Sequence, residues 1–166
     1  MQNSGIIWRI DDRLIHGQVI IGWCGQLPVE RLIVCNNEIA STEWEKNLLL
    51  MAAPVNLPAE VCSVEQTANS VHLWQSSKKI TLILLKSPQI LKVLLDKGIS
   101  IEKVNIGGIH YREDRQEFLS YLYLSIEEIH IFNQLIKTGI YFECQDLPTS
   151  NSYSLEKLIE KKYAGN

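Results

Sequence analysis

The sequence predicts an α/β protein built on an open, mainly parallel β-sheet of about seven strands, with helices on both faces. Three observations carry this. Short apolar runs alternate with amphipathic stretches along the whole chain. The amphipathic stretches, at about 10 to 13 residues, are long enough to cross from one parallel strand to the next. Helix-start and helix-stop residues fall at the boundaries between the two.

Taken in order, "GIIWRI" (5–10) is a buried first strand, and "GQVIIGWCGQL" places Val19, Ile20, Trp23 and Leu27 at helical spacing. "ERLIVCN" is a second strand. "STEWEKNLLLMAAP" is a helix with Thr42 and Glu45 spaced as a capping box and Pro54 beyond its end. "AEVCSV" is a short third strand, and Ser63 with Gln66 caps a helix through Trp74. "KKITLILLK" is the most hydrophobic strand and belongs centrally in the sheet. Ser87-Pro88 supplies a cap and a first-turn proline before "QILKVLLDKG", which Gly98 stops. "EKVNIGG" is a fifth strand and "FLSYLYLS" a sixth. Ser125 and Glu128 cap a helix ending near Gly139, "IYFECQDLP" is the last strand, and "SYSLEKLIEKKY" a charged terminal helix.

Right-handed crossovers place all strand-to-helix loops on one edge of such a sheet, the edge where ligands bind. Three of these loops are chemically unusual: "DDRLIHGQ" after the first strand, "LKSPQ" after the fourth, and "GGIHYRED" after the fifth.

The 166 residues fit one domain, 1–166, with room for a well-buried core. A net charge of −3 argues against nucleic acid as a partner, which calls for a basic face. There is no run of apolar residues long enough to span a membrane, and "MQNSG" lacks the basic and apolar segments of a signal peptide, so a cytoplasmic protein is expected. Cys24, Cys35, Cys62 and Cys144 lie far apart in apolar runs. They read as buried or half-buried residues, with a reactive thiol as the alternative and no metal spacing among them.

The first loop, within "RIDDRLIHGQV", sets a histidine at a helix start. The first amides of a helix lack intrahelical partners and carry partial positive charge. Gly17 lets an anion approach that backbone, and Arg13 can fork two hydrogen bonds onto its oxygens. The same helix start disfavours an imidazolium at His16, leaving a neutral, nucleophilic ring beside a phosphate cradle. Asp11 or Asp12 can orient Arg13 or the imidazole. These residues outline a phosphohistidine site.

"RIDDRLIHGQV" with "NIGG" downstream resembles the IIB component of the mannose/fructose/sorbose family of the bacterial phosphoenolpyruvate-dependent sugar phosphotransferase system. The likeness runs on through "NNE", "AAP", "VNIGGIHYRE" and the late "LP". It implies that His16 is phosphorylated on Nδ1 by the phosphohistidine of a IIA protein. The group then passes to a sugar carried by membrane IIC and IID proteins, with Arg13 as active-site arginine and the amides of His16, Gly17 and Gln18 as cradle. It also implies an open, mostly parallel sheet, no metal or organic cofactor, contact with sugar only through the permease, and a place at the inner face of the membrane. Many members carry aspartate where Asn37 stands, so a carboxylate role does not carry over to that position.

Other residues of the same edge are candidates for its support: Lys86 at the end of the fourth strand, which attracts phosphate or simply ends the strand, Gly107 and Gly108 as floor or tight turn, and His110, which lines the site, assists docking or is an exposed loop histidine. His72 and His130 read as surface or packing residues, Arg112 to Arg115 as a solvated charge run, and Trp23 and Trp44 as core-facing helix residues. Two further readings stand beside the phosphoryl carrier: a phosphoryl-accepting regulatory module without sugar transport, and an anion-binding domain without covalent chemistry. The sugar and the oligomeric state are not legible.

Overall fold

The structure, a computed structural model, describes residues 5–165. A seven-stranded sheet runs in the order β3-β2-β4-β1-β5-β8-β9, formed by β1 (Ile6–Asp11), β2 (Val29–Cys35), β3 (Ala59–Cys62), β4 (Ile80–Leu85), β5 (Lys103–Gly108), β8 (Tyr141–Cys144) and β9 (Tyr153–Ser154). Every pairing in it is parallel except β8 with β9. The expected strand "KKITLILLK" is indeed internal, between β2 and β1.

Alternate residues of each strand feed two cores. Ile6, Trp8 and Ile10 of β1 face α3 (Val64–Ser76), α4 (Gln89–Asp96), α5 (Ile126–Lys137) and α6 (Leu155–Tyr163). In this core Phe132 and Phe142 meet edge to face, centroids 5.0 Å apart, a geometry worth about 0.5–1.5 kcal/mol beyond the area it buries. The opposite core collects Leu14, Ile15, Val19, Trp23, Leu32, Val34, Leu82 and Leu84, with Ile39, Leu49 and Leu50 from α1 (Asn37–Ala40) and α2 (Glu43–Leu50) packed against it.

The capping boxes expected at Ser63/Gln66 and Ser125/Glu128 both form. Gly98 and Gly139 adopt left-handed φ of +83° and +101° just past α4 and α5, as helix stops require. Several expectations are corrected. Thr42 stands at the N-cap of α2, but its hydroxyl donates to the Glu38 carbonyl of the preceding turn α1, so the capping box with Glu45 does not close. No side chain caps α4, which starts behind Pro88 without help from Ser87. The expected sixth strand is a hairpin, β6 (Gln116–Leu119) and β7 (Leu122–Leu124), turning at Ser120-Tyr121 and forming its own two-stranded sheet. "IYFECQDLP" is followed by one more strand, the two-residue β9. The first helix spans 17–26 but is wound as a π-helix over Val19–Cys24.

Trp44 is the clearest reversal. Its side chain is 67% exposed, together with Leu48 and Met51 on the outer side of α2, a helix whose apolar contribution to the core comes from Leu49 and Leu50 instead. Trp23 is buried as expected. Cys35, Cys62 and Cys144 are buried and Cys24 half-buried; burial pushes the Cys35 thiol up to about 11 and that of Cys144 to about 12. No helix among the described residues is long and apolar enough to cross a membrane.

Candidate functional site

β1 ends at the carboxyl edge of the sheet, and its alternation sends Ile7, Arg9 and Asp11 to one face. Past Asp11 the chain turns sharply. The Leu14 amide donates to the Asp11 carbonyl at 2.9 Å, and Leu14 itself sits at φ +58°. A left-handed leucine costs on the order of 1–3 kcal/mol and persists only where surroundings over-determine it. Here Leu14 and Ile15 are buried in the core, anchoring the loop from below and leaving Arg13 and His16 above.

Asp11 organises what stands there. It is fully buried, and its carboxylate accepts from the Arg13 amide at 3.1 Å, from Arg13 Nε at 3.3 Å and from His16 Nε2 at 3.1 Å. Arg9 Nη2 lies 3.6 Å away. Burial alone pushes the carboxyl up, but the hydrogen bonds from His16 and Arg13 and the charges around it outweigh that and hold it below the usual carboxylate value. An ionised carboxylate only accepts, so Nε2 of His16 is the nitrogen that carries a proton, and in the neutral ring the lone pair is on Nδ1. Arg13 is further held by Gln18, whose Oε1 accepts from Nη2 at 2.9 Å. The Arg13 side chain remains 38% exposed and that of His16 17%. A Cβ at Gly17 would meet nothing within 4 Å, so the backbone beside His16 is open to an approaching group.

Thus Asp11, Arg13, His16, Gly17 and Gln18 come together as expected. Asp12 belongs to a second, adjoining network. Its carboxylate accepts from the His110 amide at 2.8 Å and pairs with His110 Nδ1 at 2.5 Å. Gly108 lies between the two networks: a Cβ there would fall 3.0 Å from His110 Cε1 and 3.4 Å from Arg13 Nη2. Gly107 plays a different part from the one expected. It makes room for the Arg9 guanidinium, with which a Cβ would collide, and so lies under the loop's support and not at its mouth. Lys86 is exposed and set apart from His16, lining with Asp12, Asn36 and Tyr111 a cleft of about 680 Å³ at the same sheet edge. Asn37 accepts from the Val64 amide at 2.8 Å and so ties α1 to the start of α3.

Sequence reasoning missed Arg9. It is fully buried, stacks 4.3 Å over the Trp23 ring, and donates to Asn105 Oδ1 and to the carbonyls of Gln145 (3.0 Å) and Asp146 (2.9 Å). Burial pushes the guanidinium down to about 10, still charged at neutral pH. Arg115 was also misread. Far from being solvated, its side chain is 9% exposed and clamps Glu128 through two hydrogen bonds of 3.0 and 2.6 Å. Arg112 and Asp114, its neighbours, do pair on the exposed face.

The arrangement offers an attacking ring nitrogen with its tautomer fixed, a guanidinium beside it, and an unobstructed backbone. That is what acceptance of a phosphoryl group requires. Residues 6–165 match the family model described as PTS system sorbose subfamily IIB component. The chain is 29% identical over 154 residues to the PTS system fructose-specific EIIB component of Bacillus subtilis, covering 93% of this chain and 94% of that one. It is 30% identical over 156 residues to the sorbose-specific EIIB component of Klebsiella pneumoniae, covering 93% and 95%. The crystal structure of the IIBSor domain of the K. pneumoniae sorbose permease superposes with a TM-score of 0.84, at 29% identity, over 97% of this chain and 98% of that one.

Proposed function

The chain belongs to the sorbose subfamily of PTS IIB components, which carry phosphoryl groups in sugar transport, and from that premise we propose that His16 is the residue that carries the group, on Nδ1. The observation behind this reading is the 3.1 Å contact between His16 Nε2 and the buried Asp11 carboxylate. It commits one ring nitrogen to a proton and leaves the other as the nucleophile.

The donor is the phosphohistidine of a IIA protein. The Nδ1 lone pair of His16 attacks phosphorus, the N–P bond of the donor breaks, and its electron pair returns to the donor ring. As the His16 ring gains positive character, the Asp11 carboxylate stabilises it through Nε2. Arg13, steered by Asp11 and Gln18, meets the phosphoryl oxygens, and the open backbone at Gly17 supplies amide donors. In the second half-reaction a sugar hydroxyl held by the membrane IIC and IID proteins takes the phosphoryl group and releases its proton. The N–P pair then returns to His16. The protein works at the cytoplasmic face of that permease.

Incubation with phosphoenolpyruvate, enzyme I, HPr and a matching IIA protein tests the reading. One acid-labile, base-stable label at His16, lost in His16→Ala, is the expected result. Undiminished labelling of His16→Ala would overturn it.

A further inference from the structure

The second histidine of this edge is held as tightly as the first. The Asp12 carboxylate receives both the His110 amide (2.8 Å) and its Nδ1 (2.5 Å). Arg115 donates to the His110 carbonyl at 2.7 Å and lies 3.7 Å from Asp12. Arg115 is itself fixed by Glu128, whose Oε2 also accepts from the Ser125 amide at 2.9 Å in the capping box of α5. One residue back, Ile109 is stitched to the hairpin by bonds to Tyr121 and Tyr123 of 3.0 and 2.8 Å. Such over-determination is expected of a group whose direction matters.

The ring lies beside the proposed phosphoryl site. With Nδ1 committed to a carboxylate, the free atom is Nε2, and its neighbour Cε1 shares the space over Gly108 with Arg13 Nη2, 3.0 and 3.4 Å from where a Cβ would stand. The side chain is 42% exposed, open on that edge. The charged groups around the ring are Asp12, Asp11 and Arg13 from the first loop, Arg115 and Arg112 from its own loop, and Glu128 from α5, with Lys86 across the cleft.

We propose that His110 is a second phosphoryl ligand: loading of His16 draws one proton from solvent onto His110 Nε2, which then donates a hydrogen bond to a phosphoryl oxygen. The inference rests on His16 as the phosphoryl acceptor. An unprotonated Nε2 would turn its lone pair toward a dianionic group, whereas an imidazolium held by Asp12 meets that group with charge and a donor. The proton comes from bulk water and returns there when the group leaves, so the transfer itself stays balanced. Loading of His16 is therefore linked to pH through a residue that never becomes phosphorylated.

The test uses the full-length protein, ¹⁵N-labelled at histidine and loaded through phosphoenolpyruvate, enzyme I, HPr and the IIA protein. Phosphorus NMR reports the load on His16, and nitrogen NMR reports the protonation of His110. Expected is a His110 Nε2 that is unprotonated before loading and protonated after it at the same pH near 8. In parallel, the phospho-IIB to phospho-IIA ratio should fall with rising pH more steeply for wild type than for His110→Gln, by up to about tenfold per pH unit. Effects common to both proteins cancel in that difference. An Nε2 unchanged by loading, including one already protonated beforehand, or identical pH slopes in the two proteins, would overturn the proposal while leaving His16 as acceptor. Absence of a phosphohistidine signal at His16 in wild type would remove the acceptor reading and this one with it. The wild-type nitrogen measurement decides the matter even if His110→Gln fails to fold.

Discussion

His16 Nε2 stands 3.1 Å from Asp11 Oδ2, and Asp11 is fully buried. The imidazole that faces solvent is thus steered by a carboxylate that solvent never reaches, itself flanked by Arg9 and Arg13. Asp11→Asn removes the charge while keeping the shape. It should slow phosphorylation of His16 by ~10–100-fold, the range of a lost charge-assisted hydrogen bond. Asp11→Ala leaves the buried Arg9 without its carboxylate and should cost about 3–5 kcal/mol in urea denaturation. Wild-type loading rates in Asp11→Asn would show that the ring needs no such orientation.

Arg13→Ala should cost more in rate than in stability. The side chain is 38% exposed, but it donates to the buried Asp11, which keeps its bonds from His16 and the Arg13 amide, so the unfolding free energy should fall by about 1–2 kcal/mol. The rate of transfer from a saturating IIA protein should fall by ~10²–10³, as for loss of one donor to developing charge. A rate within twofold of wild type would place Arg13 outside the reaction.

Two glycines of the site should respond in opposite ways. Gly107→Ala drives a methyl into the Arg9 guanidinium and should destabilise the protein by about 1–3 kcal/mol. Gly17→Ala meets nothing within 4 Å, so stability should hold to about 0.5 kcal/mol, while loading slows because the methyl stands where phosphate oxygens approach. Equal melting temperatures for both variants would contradict this division.

The depressed Asp11 carboxyl predicts a direction with pH. A group whose folded value lies below its ordinary 3.8 contributes stability that is complete above 3.8 and is lost as pH falls through the lower folded value. The margin of wild type over Asp11→Asn, read from urea midpoints, should therefore shrink as pH falls below about 4. A margin that grows on acidification below about pH 4 would reverse the assignment.

In the proposed relay both partners handle a dianionic group, and this chain carries a net charge of −3. Encounter with a IIA protein then depends on local cations, for which Arg13, Lys86 and Arg112 are the exposed candidates. Transfer should slow as salt rises, and Lys86→Ala should lower the association rate more than it alters dissociation. Salt-independent transfer would show that these charges do not steer the encounter.

Much of the fold was legible because local chemistry and tertiary structure agreed. Ser63/Gln66 and Ser125/Glu128 close their boxes wholly within one helix end. Thr42 failed because a neighbouring turn offered its hydroxyl the Glu38 carbonyl, a competitor that spacing does not reveal. The hairpin was read as one strand because its turn, Ser120-Tyr121, contains neither glycine nor proline. At the site, the loop around His16 announced itself by residue type. Arg9 did not, since a lone arginine in an apolar strand reads as an edge residue. Its one signal was Asp11 two positions on, and so on the same face. The partners of Asp12 and Arg9 came from residues far along the chain, beyond the reach of spacing.

Arg9 is bonded to residues 96 to 137 positions downstream, at Asn105, Gln145 and Asp146. During synthesis the loop bearing His16 is made well before β5 and the turn past β8, so the arginine beneath it acquires its final partners only once those segments have followed. Chains fold vectorially as they emerge, and early segments wait for late ones when contacts are this distant. The support of the proposed phosphoryl site is therefore completed late in the folding of this domain, whatever the order in which its strands first pair.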